Sequence, residues 1–153
     1  MKSLWISFGI GFVAGLRSMT AGAALSWAAA WGRTRGGVPA GPASRAVTTV
    51  AALAEMAGDK TPFAPDRRIP PSFLARLAIG AGGGAALAGR GASPLAGAAL
   101  GMAGAALGTV LGRAARGAKT HSGGDWARAV AEDLVAAGLA VALVHLAERQ
   151  RRV

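Results

Sequence analysis

GFVAGLRSMTAGAAL, residues 11–25, is the stretch on which the fold turns, because one charged residue, Arg17, stands in the middle of it. Working outward, apolar residues run from Leu4 almost unbroken to Trp31. A bilayer-spanning helix needs about 20 mainly apolar residues, and 3–32 is long enough. An arginine at the bilayer centre costs roughly 2.5–3.5 kcal/mol on insertion scales, so it must be answered by a partner. The run is interrupted at Gly15-Leu16-Arg17-Ser18, and Ser18 or Thr20 can cap a new helix there. Residues 3–32 are therefore either one kinked helix or two half-helices meeting near the bilayer centre.

Composition favours lipid as the solvent. A chain of 153 residues has room for one domain, 1–153. It is 52% hydrophobic with a mean hydropathy of +0.40. Only 16% of its residues are charged, against about 25% in a typical soluble domain. The net charge of +10, from 17 Lys+Arg and 7 Asp+Glu, raises nucleic acid as a partner. The aromatics argue against it: apart from Phe63 they sit in apolar segments and do not interleave with a basic groove. The excess is better matched to a bilayer with anionic headgroups. Absence of cysteine excludes disulfides and thiolate chemistry. The N-terminus has the lysine and apolar core of a signal peptide, but the apolar region continues past its small residues and holds Arg17, so it is read as retained.

The remaining helices are expected over 43–58, 73–89, 94–116 and 125–148, separated by proline- and glycine-rich loops. Strands are disfavoured by the Gly and Ala content and the lack of period-two alternation. The predicted fold is all-α, a multi-pass transmembrane bundle of four to five spans. Gly97, Gly101, Gly104, Gly108 and Gly112 recur at spacings of four and three, placing them on one helix face in a glycine zipper that lets backbones approach. The same face predicts self-association into a homo-oligomer. Lys and Arg divide nearly evenly between the two sides of a five-span chain, so the positive-inside rule selects no orientation.

Charges inside apolar helices are the candidates for function. Arg17, Glu55, Glu132 and Asp133 qualify, and the simplest arrangement pairs Arg17 with Glu55 or with Glu132/Asp133 across helices. Glu55 and Asp59 are four apart on one face at a helix end, a spacing that suits a divalent cation such as magnesium or a shared proton, while Lys60 can neutralise one of them. Arg67 and Arg68 offer contacts to phosphate or lipid headgroups, and Arg76, near a helix start, can snorkel to the same interface. No HExxH, GxxxxGK[ST] or GxSxG sequence occurs.

GLRSMT, AEMAGDKTPFAPDR, the glycine-rich helix and the terminal AEDLVA together resemble the small bacterial integral membrane proteins of domain-of-unknown-function family 4126. The similarity covers roughly residues 4–147. It implies a multi-helix protein of the bacterial inner membrane and supplies no activity. Its pattern falls on Gly15, Leu16, Arg17, Ser18, Glu55, Asp59, Lys60, Pro62, Pro65, Glu132 and Asp133.

Three functions fit these residues. The first is transport, or conduction of an ion or small solute, through a buried site of Arg17 and Ser18 with Glu55 and Glu132/Asp133. The second is a membrane enzyme acting on a phosphorylated lipid, with metal at Glu55 and Asp59 and phosphate gripped by Lys60, Arg67 and Arg68. The third is a non-catalytic scaffold whose charges are structural ion pairs.

Overall fold

The computed structural model describes residues 2–58, 70–89, 91–116 and 123–152. Its elements are α1 (Lys2–Leu16), α2 (Ser18–Ala30), α3 (Pro42–Gly58), α4 (Pro70–Leu87), α5 (Pro94–Arg116) and α6 (Gly123–Arg152), with no strand among the described residues. Pro42, Pro70 and Pro94 each open a helix, where the fixed φ of proline fits and its missing N–H is not needed.

Of the two expectations for 3–32, the chain adopts the half-helices. Arg17 alone is extended between them, at φ −145 and ψ 98. One non-helical residue reverses the chain: Ile10 of α1 and Leu25 of α2 both lie against Gly83 of α4, whose missing side chain makes room for them. The hairpin sets two levels in the bundle. At the charged end, Gly15, Glu55, Arg76 and Thr109 come together, with Arg17 beside Asp133. At the other end, Ser7 Oγ donates to Gly84 O at 2.7 Å, Arg35 N donates to Ala86 O at 2.9 Å, and Arg33 meets Glu148 at 3.0 Å. Successive helices thus run in opposite directions between the two levels. Trp5, Trp27 and Trp31 are exposed at this second, tryptophan end.

α5 is the spine, packed between α1 and α4. Gly97 faces Gly84, Gly101 faces both Gly80 and Gly11, Gly104 faces the backbone of Phe8, and Gly108 that of Phe12; Gly112 is also buried. These glycines let helix backbones touch inside one chain.

Two helices carry large apolar side chains on their exposed faces. Leu95, Met102, Leu107, Val110 and Leu111 of α5 and Leu134, Val135, Leu139, Val141 and Leu146 of α6 are exposed, while Arg17, Arg76 and Asp133 are buried. Pro94–Ala114 and Ala127–Gln150 are long and apolar enough to cross a membrane. Of the four to five spans expected, these two are the helices of that kind among the described residues. Leu4–Leu16 is apolar but short, because the reversal at Arg17 leaves α1 about 22 Å long at 1.5 Å per residue, against a hydrocarbon core of about 30 Å.

Candidate functional site

A helix break leaves carbonyls at the end of one helix and N–H groups at the start of the next without partners. Where water is excluded, the protein must supply them. Here the break at Arg17 is answered from two other helices. Arg76 of α4 donates from Nη1 to Gly15 O at 2.7 Å, placing a cation at the C-terminal end of α1. Glu55 of α3 accepts from Ser18 N at 3.1 Å, Ser18 Oγ at 3.0 Å and Met19 N at 2.9 Å, placing an anion at the N-terminal end of α2. Neither Ser18 nor Thr20 is the N-cap: Arg17 holds that position and makes no side-chain cap bond. The cap comes from Glu55, 37 residues along the chain from Ser18.

The two capping groups are themselves paired, Arg76 Nη2 to Glu55 Oε1 at 3.3 Å. Arg76 was expected at the headgroups and is instead buried against Glu55. The reason is where α4 begins: at Pro70 rather than near Phe73, so that Arg76 lies nearly two turns inside the helix. Arg17, fully buried, pairs through Nη2 with Asp133 Oδ1 of α6. Its Nη1 lies 3.5 Å from Glu55 O. Asp133 is buried and faces Arg17, whereas its neighbour Glu132 is only half-buried, as expected when successive helical residues point about 100° apart. Thr109 of α5 completes the level, with Oγ1 donating to Ala105 O at 2.8 Å and lying 3.4 Å from Gly15 O.

Two cations and two carboxylates, from α3, α4, α6 and the break itself, thus converge on one small volume. Glu55 has both oxygens engaged by donors and its carboxylate turned inward. The magnesium reading pairs Glu55 with Asp59. Asp59, Lys60, Arg67 and Arg68, together with Pro62 and Pro65, lie outside the described residues. Among the described residues, no group of three or more His, Cys, Asp or Glu is placed to hold a metal.

Sequence reasoning missed Arg76 as a member of this cluster. The signal was present: in an all-apolar helix, an arginine is as conspicuous as Arg17, once proline is allowed to start the helix. Comparison with protein-family models, with curated proteins and with solved structures returns no match.

Proposed function

We propose that this is a small multi-pass protein of the bacterial inner membrane that conducts an ion or small solute past the buried charged cluster, with α5 and α6 crossing and the other helices completing a bundle of four to five spans. The exposed apolar faces of α5 and α6 support the membrane reading, and the resemblance of GLRSMT and AEMAGDKTPFAPDR to domain-of-unknown-function family 4126 agrees with it. One observation carries the functional reading: Glu55 occupies a ready-made anion site. Two consecutive N–H groups at a helix start, with a guanidinium beside them, form the arrangement that holds anions in many proteins, and here the anion is the protein's own carboxylate. Glu55 acts as a latch. An incoming anion takes its place on Ser18 N, Met19 N and Arg76, and the latch returns when the anion leaves.

Glu55→Gln removes the competing charge and keeps the shape. Purified protein in liposomes, with entrapped chloride as the probe ion, is expected to release it at least about tenfold faster in the variant. Tenfold corresponds to 1.4 kcal/mol, a fraction of the roughly 4 kcal/mol between like charges 4 Å apart at a protein surface. Equal efflux from both proteins sinks the latch. A second reading, the static scaffold, is favoured by each cluster charge lying beside an opposite one; it predicts no efflux from either protein.

A further inference from the structure

α3 packs along α2, and away from the Glu55–Arg76 pair a cleft separates α3 from α4. The cleft has a volume of about 790 Å3, within the roughly 300–1,000 Å3 of ordinary ligand sites. Its walls are apolar or small, among them Gly22 and Leu25 of α2, Val47 of α3, and Ile79 and Gly82 of α4. Among the described residues, Arg35, in the loop after α2, is the single charged residue lining it, and no Asp or Glu does. The Arg35 guanidinium is held by carbonyls, Nη1 donating to Ala92 O at 3.1 Å and Nη2 to Gly89 O at 2.6 Å. Two of its five N–H donors are thus used, and among the described residues the charge meets no carboxylate there.

Depth fixes the kind of occupant. Trp27, in the last turn of α2, and Trp31, its C-cap, stand immediately before this loop, and both are exposed, as is Trp5 at the same end. Exposed tryptophans gather at the headgroup level of a bilayer. Arg35 therefore stands where lipid phosphates are, and the cleft runs from it towards the hydrocarbon. We infer that the α2/α3/α4 cleft is a lipid site: it takes an acyl chain of an anionic phospholipid from the surrounding leaflet, with the phosphate on Arg35. The guanidinium fork matches phosphate oxygens. A zwitterionic headgroup brings an ammonium as well, and the walls offer it no carboxylate, so phosphatidylglycerol is preferred over phosphatidylethanolamine.

The inference needs membrane residence and is independent of the conduction reading. The test is native mass spectrometry of the full chain, extracted from membranes and equilibrated with equal amounts of the two phospholipids. Wild type is expected to carry one phosphatidylglycerol in about tenfold excess over phosphatidylethanolamine, the scale of one charge-assisted contact. Arg35→Ala abolishes that preference. Gly22→Leu and Gly82→Leu add bulk where nothing lies within 4 Å of a new Cβ, so they fill the cleft without disturbing the backbone, and they reduce adducts of both lipids. Equal retention of the two lipids by wild type overturns the inference, as does a preference that survives Arg35→Ala, or adducts indifferent to both glycine variants. A chain absent from the membrane fraction before extraction overturns the membrane reading itself, which is a separate result.

Discussion

Asp133→Leu is expected to lower the stability of the detergent-solubilised protein by about 3–5 kcal/mol, the range found when one partner of a buried ion pair is removed. The reason lies with the survivor. Arg17 is wholly buried and sits in the extended residue between α1 and α2, where it cannot turn outward without dragging the hairpin with it. Deleting Asp133 takes away the carboxylate that faces Arg17 Nη2 and leaves the buried guanidinium short of it. Arg17→Met combined with Asp133→Leu is expected to recover most of the loss, since an apolar pair of similar volume replaces a buried ion pair at little net cost. Unfolding of the four proteins in mixed micelles of increasing sodium dodecyl sulfate closes the double-mutant cycle. A single-variant loss below about 1 kcal/mol, the level of an exposed pair, would mean that Arg17 and Asp133 are not held together in a dry interior.

That pair could be anticipated, and the reasons show how far the sequence reaches. Arg17, Glu55 and Asp133 are conspicuous because each interrupts an apolar helix, and desolvation makes such residues seek one another. Which carboxylate meets which arginine was not legible. Arg17 could have chosen Glu55, and in the fold it takes Asp133 because Glu55 is drawn to the free N–H groups of Ser18 and Met19. Those N–H groups exist only because the chain reverses at Arg17, and no local signal distinguishes a reversal from a kink when the residue at the break is neither glycine nor proline. Helix length was similarly misleading. Residues 3–32 are apolar enough to span, yet α1 and α2 fold back against Gly83, and a residue 58 positions past Leu25 cannot be read from a window around Arg17. Arg76 was misplaced by a shift of about one turn in where α4 begins. An offset of that size is enough to move a side chain from the headgroup level to the interior.

Gly101→Ala separates the tight packing of α5 from ordinary helix contact, and its effect should rival that of Asp133→Leu. A Cβ at Gly101 would fall on the backbone carbonyl of Gly80 and lie 3.1 Å from Gly84 Cα, and on its other side Gly11 already presses against Gly101 itself. Backbone cannot swing away as a side chain does, so α4 or α1 must shift bodily from the spine. Overpacking a core commonly costs about 1–3 kcal/mol, occasionally more, and a clash with main chain on one side and close packing on the other belongs at or above the upper end. Gly82→Ala supplies the contrast. It lies on the same neighbouring helix, α4, with nothing within 4 Å of a new Cβ, so alanine there gains helix propensity of about 1 kcal/mol and meets no obstacle. The same unfolding assay should place the two variants on opposite sides of wild type. The five-glycine spacing on α5 announced a close contact without naming its partner; the sign of these two substitutions identifies the partner as α1 and α4 of the same chain. Equal, small effects from both would mean that α5 is not wedged between those backbones, and the hairpin of α1 and α2 would lose the surface it is folded against.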